Sequence, residues 1–117
     1  MRLFARLTLS LALAAPCTAF ANANPMISQI AVLAEQRRQT IFANMMQRQG
    51  EKCPSVNRTF FQGSASDGSA FWSIACTGGK DWQILIKNDA DGDIRFLDCA
   101  IMKTVGGAQC FSAFKKK

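Results

Sequence analysis

Four cysteines, Cys53, Cys76, Cys99 and Cys110, stand beyond residue 50 of a 117-residue chain, and they restrict its fold more than any other feature. An even number in a short exported chain reads as a disulfide framework, which staples a domain too small to be held by its core alone. Zinc would require clustered pairs, yet the closest spacing is 11 residues and the chain has no histidine. Two disulfides are expected.

The disulfide reading requires export, and residues 1–23 supply the signal for it. "MRLFARLTLSLALAAPCTAFANA" has two arginines, an apolar run too short for a comfortable membrane span, and then small residues at alternate positions. This is the pattern of a secretory signal peptide, with cleavage near Ala21 or Ala23 and a periplasmic or secreted product. Pro16, directly before the fifth cysteine Cys17, stands where a lipoprotein signal needs a small residue. Removing 23 of the 117 residues leaves 94, enough for one domain, 24–117. Without the two leader arginines, twelve basic residues face eight acids, a net +4 that includes the terminal Lys115, Lys116 and Lys117. The body of the domain is therefore near neutral and carries no basic stripe, which argues against nucleic acid. The lysine tail can make only weak contact with an anionic membrane surface.

Residues 25–49 contain no glycine and carry proline only at the first position, after an asparagine suited to capping, and Gly50 follows as a stop. The spacing predicts one helix with Ile27, Ile30, Ala31, Ala34, Ile41, Phe42 and Met45 on one face. Arg38 falls in the middle of that face. Either its stem covers apolar surface while its head reaches water, or it makes a buried ion pair or marks a bend between two half-helices.

Downstream, "AFWSIAC", "DWQILIK" and "DIRFLDC" alternate as strands do, separated by the turn segments "TGGK" and "NDADG". A three-residue hairpin loop fits each connection, with Gly79 and Gly92 in the left-handed positions, and Asp89 and Gly92 suit the first and fourth places of a type I turn. The acids of "KNDADGDIRFLD" also invite a calcium-loop reading, but that register puts Lys87 where the first carboxylate ligand belongs. A hairpin turn is the better assignment, and no metal or other cofactor is expected. With these loops the even-numbered residues Trp72, Ile74, Cys76, Trp82, Ile84, Ile86, Ile94 and Phe96 share one apolar side, which should take the helix. The odd side is mixed. "RTFFQ", 58–62, adds a further strand at an edge. The fold expected is α+β: one N-terminal helix on a small antiparallel meander of three to four strands.

Parity bears on the cysteines as well. Cys53 follows the helix on the covered side, where Cys76 also points. Cys99 points to the opposite side, and the segment after it turns at Gly106-Gly107 and returns with Cys110. Cys53–Cys76 and Cys99–Cys110 are the expected bonds, each worth about 3 kcal/mol by loop entropy.

Without histidine there is no Ser-His or Cys-His pair, and the acids Asp89, Asp91 and Asp93 lie on a solvated turn. "TGGK" is too short for a phosphate loop and joins two strands. No enzyme is expected. "AFWSIACTGGKDWQILIKNDADGDIRFLDC" followed by "GGAQCF" is similar to segments of short, exported, uncharacterised proteins of alphaproteobacteria, over about residues 53–114; the resemblance implies no activity. The Cys76-Thr77-Gly78-Gly79 hairpin resembles a segment of secreted lysozyme inhibitors, although the chain lacks their serine-glycine loop and its positive charge would repel a cationic lysozyme. The function expected is a non-catalytic exported interaction module or accessory subunit, with a secreted inhibitor of a hydrolase such as a cell-wall enzyme as the alternative. A helix of about 25 residues is about 37 Å long, against about 20–24 Å for the strands, so one end should overhang. Cys53 ties down the far end, which leaves residues 25–36. Either the helix bends near Arg37 and Arg38 or frays at its start, or Ile27, Ile30, Val32 and Leu33 dock on a partner protein or a second copy, and these four are the expected contacts.

Overall fold

A computed structural model describes residues 24–107 and 109–114; residues 1–23, where a signal peptide is expected, and the lysines 115–117 lie outside them. Helix α1 (Pro25–Ala31) is followed by α2 (Glu35–Arg48), strands β1 (Val56–Ser64), β2 (Ala70–Cys76), β3 (Asp81–Ile86) and β4 (Ile94–Asp98), and a short α3 (Cys99–Thr104). The four strands form one antiparallel sheet in sequence order, with the "RTFFQ" strand at one edge. The fold is α+β, a helical layer on a meander, and both expected disulfides, Cys53–Cys76 and Cys99–Cys110, are present. Two disulfides place the folded chain in an oxidising, non-cytoplasmic setting. No helix among the described residues is long and apolar enough to cross a membrane.

The side-chain parity holds throughout. Trp72 pairs with Ile84, Ile74 with Trp82, Ile84 with Phe96 and Ile86 with Ile94. Trp72, Ile74, Cys76, Ile84 and Ile86 are buried under the helices with Phe42, Ala43, Met46 and Ile30. Burying apolar area at about 25 cal/mol per Å² makes this face the main source of stability.

Both turns differ in detail from the three-residue pattern with a third-position glycine. In the first, Gly78 rather than Gly79 has the positive φ, 72°. The Gly79 amide donates to Cys76 O, so Gly78 occupies the third place of a four-residue turn, where a type II turn requires that conformation. The second loop is five residues long, not three: the Lys87 amide donates to Asp93 O and the loop 88–92 lies between them. Two residues of register are thereby shifted with the faces unchanged. Asp89 and Gly92 keep their expected turn places, the Gly92 amide donating to Asp89 O at 3.2 Å and to Asp89 Oδ1 at 2.7 Å.

Asn24 explains the longer loop. It caps α1, its Oδ1 accepting from the Met26 amide at 3.0 Å, while its backbone amide donates to Asn88 Oδ1 at 2.9 Å and its Nδ2 to Lys87 O at 3.1 Å. A Cβ on Gly92 would stand 3.2 Å from Asn24 Nδ2. The acid-rich turn is the seat of the first helix. No group of three or more metal-ligating side chains gathers among the described residues.

The single long helix is corrected to two. α1 ends at Ala31, and Val32, Leu33 and Ala34 separate it from α2 without a glycine or proline in the break. Ala31 and Ala34, placed on the apolar face by a continuous helix, are exposed at this corner. The overhang is therefore absent: α1 folds back so that Ile30 is 2 % exposed and Met26 and Ile27 pack on the core.

The odd face is not bare. Beyond α3, residues 109–114 lie across it as a strap. The Phe111 amide donates to Ser73 Oγ at 3.0 Å, the Phe114 amide to Gln62 O at 2.9 Å, and Gln62 Nε2 to Gln109 O at 2.9 Å. Gln83 Nε2 completes the set by donating to Gln62 Oε1 at 2.9 Å. Ser73, Gln62 and Gln83 are buried polar residues on this side, and each finds a partner as burial requires.

Candidate functional site

The corner between α1 and α2 is built around Arg38 and Glu35. Arg38 pairs with Glu35 Oε2 at 3.1 Å, donates from Nη1 to Leu33 O at 2.8 Å and from Nε to Thr59 Oγ1 at 3.2 Å, and its guanidinium lies 4.9 Å from the Trp72 ring centroid. The ion pair and the bend, rather than a head escaping to water, account for this arginine. By capping a carbonyl freed at the break, it satisfies a group that a continuous helix would have bonded internally.

Glu35 ties the same corner to the sheet. Its carboxylate accepts from the Thr59 amide at 2.8 Å, from the Thr59 hydroxyl and from Gln39 Nε2 at 3.1 Å. Burial raises its pKa, but hydrogen bonds from the Thr59 side chain, Gln39, the Thr59 amide and Arg38 outweigh it and hold the carboxyl at about 2, from an ordinary 4.5. A depressed folded-state pKa stabilises the fold above pH 4.5 and loses that contribution as pH falls through about 2. Thermal melts of the native chain and Glu35→Gln are expected to differ most near neutral pH and to converge at about pH 2. With the side chain 42 % exposed, solvent screening keeps the difference modest.

This clamp presents an apolar corner outward. Val32 is 82 % exposed, although its amide is bonded to Ser28 O at 3.3 Å and the next amide to Ile30 O at 3.2 Å. Leu33 is half-buried and, with Arg37 and Ile41, lines a shallow depression of about 480 Å³ on the solvent side of α2. The four residues expected to meet a partner are thus divided. Ile30 belongs to the core and Ile27 packs against it, whereas Val32 and Leu33 face outward, joined by Ile41 from the next helix.

A second apolar set lies at the opposite corner: Leu97 on β4 and Ile101 and Val105 on and just after α3, all exposed. For Ile101 and Val105 the spacing of four residues is the signal that could have found them, since it stacks side chains on one face of a helix. Beside them a cleft of about 350 Å³ opens on the Cys99–Cys110 bond, walled by Lys80, Lys103, Asp98 and Phe111. Asp98 caps α3 at the Ala100 amide, 2.8 Å, and pairs with Lys80 at 3.3 Å.

The geometry can hold a partner surface at either corner, and the helix corner is the better organised of the two. Compared with family models, with curated proteins and with solved structures, the chain matches none.

Proposed function

We propose that the chain is an exported, non-catalytic interaction module that docks on a protein partner, or on a second copy of itself, through Val32, Leu33 and Ile41. The observation that carries this reading is Val32: a large apolar side chain held in water on a corner fixed by the Arg38–Glu35–Thr59 clamp. Rigid presentation of such a residue reduces the entropy lost on docking. Arg37, which lines the depression with Leu33 and Ile41, supplies a polar edge, and arginine is enriched where protein surfaces meet. Asp89 holds the turn that seats α1, and the chain has no histidine, which leaves little chemistry for catalysis.

Val32→Ser with Leu33→Ser tests the reading. The melting temperature is expected to shift by less than about 4 °C, because neither side chain belongs to the core. Co-purification from native envelope extract, and any self-association in sedimentation, should be lost. An unchanged set of co-purifying proteins in the folded double variant would overturn the proposal. Recovery of one hydrolase, inhibited by the native chain and released by the variant, would make the module an inhibitor.

A further inference from the structure

The two disulfides occupy different surroundings. Cys53 and Cys76 are 1 % and 4 % exposed within the apolar core. Cys99 and Cys110 are half-buried and form part of the wall of the open cleft beside α3, where a reductant can reach the sulfurs. Lys103, four residues after Cys99 on the same helical face, brings a positive charge that favours a departing thiolate.

What each bond holds differs as well. Cys53–Cys76 joins the end of the helical layer to the middle of the sheet. Cys99–Cys110 returns the chain from α3 to the strap 109–114, whose first and last contacts are the Gln62–Gln109 and Phe114–Gln62 bonds. The strap carries its own strain: Phe111, next to Cys110, has φ 57°, a left-handed conformation unfavourable for a side chain. Phe114 packs edge-on against Phe71, ring centroids 5.1 Å apart, and occupies a slot that exists only because residue 63 is glycine, since a Cβ there would lie 2.8 Å from the Phe114 ring. Beneath the strap lie Phe60, Phe71, Ser73 and the Gln62–Gln83 amide pair. This is a mixed aromatic and hydrogen-bonding surface, complete only while the strap is seated.

We propose that Cys99–Cys110 is a reversible redox latch, opened by dithiol reductants of the paired-cysteine class, and that its reduction releases the 109–114 strap and uncovers the second face of the sheet. A reductant thiolate attacks one sulfur of the bond, forming a mixed disulfide and expelling the other cysteine as a thiolate, which takes up a proton. The second thiol of the reductant then resolves the mixed disulfide. Two electrons and two protons pass to Cys99 and Cys110, and the dithiol leaves as a disulfide. The Cys53–Cys76 bond stays oxidised and holds the helices on the sheet throughout.

The test is a titration of the native chain with dithiothreitol, followed by alkylation and peptide mass spectrometry. Cys99 and Cys110 are expected to become alkylated at an about tenfold lower dithiol concentration than Cys53 and Cys76. Over the same range the Phe111 and Phe114 amides should lose hydrogen-exchange protection while those of β2 and β3 keep it. Cys99→Ser with Cys110→Ser should reproduce that exchange pattern with no reductant, and Gly63→Ala should loosen the strap while both bonds remain intact. Reduction of both disulfides in one step, or a strap that stays protected after Cys99 and Cys110 are reduced, would overturn the latch. Global unfolding of the serine double variant would likewise overturn it by making the bond purely structural.

Discussion

Ile30→Ala is expected to destabilise the fold by about 2–5 kcal/mol, whereas Val32→Ala, two positions on, should change stability by less than about 0.5 kcal/mol. Both are branched aliphatic residues at the end of the same helical segment, and a continuous amphipathic helix gives no reason for so large a contrast. The break supplies the reason. Ile30 lies at the end of α1, turned into the space beside Phe42, Met46 and the β2–β3 face, and is among the fully enclosed side chains. Its truncation removes apolar contacts and leaves a void that close-packed neighbours fill only in part. Urea midpoints for the two variants, taken at constant denaturant slope, measure the contrast. Equal midpoints would mean that α1 is not docked.

Cys53→Ala with Cys76→Ala is expected to cost about 2–5 kcal/mol, a large part of the about 5–15 kcal/mol that holds a domain together. The bond closes a loop of 23 residues, and by loop entropy that restraint on the unfolded chain is worth about 3 kcal/mol. It also locks the turn after α2 onto the last residue of β2, where Ser55 Oγ donates to Thr77 Oγ1 at 2.7 Å and the Thr77 amide to Ser55 O at 2.9 Å. Circular dichroism of the double variant should show a melting temperature lowered by more than about 8 °C, or no cooperative transition. A variant that melts like the native chain would assign the stabilising role to the second bond.

The sheet could be read from the chain because its information is local and periodic. Alternating Trp72, Ile74 and Cys76 against Trp82, Ile84 and Ile86 permits only one assignment of faces, and both cysteine pairings follow from that parity. Loop length was less determined. Asp89 and Gly92 are correct turn residues in a loop of three or of five, and what selects five is Asn24, more than sixty positions away. A bend in the helix was open from Arg38, but its place at residues 32–34 was not legible, for a similar reason. No residue between Val32 and Ala34 is a helix breaker, and the break is held by Arg38 and by Thr59 of β1, a tertiary cause with no local mark. Arg38 on an apolar face was the one visible sign of it. The strap was hidden because its six residues have no period, and the polar residues it covers, Ser73, Gln62 and Gln83, look like those of a solvated strand face.

Of the expected docking residues, Val32 stays exposed and Leu33 half-buried at the surface, while Ile30 belongs to the core and Ile27 packs against it, because the overhang was inferred from the length of a helix that is in fact two. Ile41 was assigned to the core face from its angular position. In the folded chain it is half-buried, touching the core and also bordering the outer depression with Leu33.

The seat of Asn24 sets an order of events. Its two bonds to the β3–β4 turn join residues 64 and 63 positions apart, so the first helix has no place to rest until the last hairpin has formed. Contacts of such separation close late, since the chain between them must already be ordered before their entropy is recovered. The first helix of the described residues is thus among the last elements to settle. The β3–β4 hairpin, once closed, offers Lys87 and Asn88 to Asn24 and so draws α1 down onto the sheet.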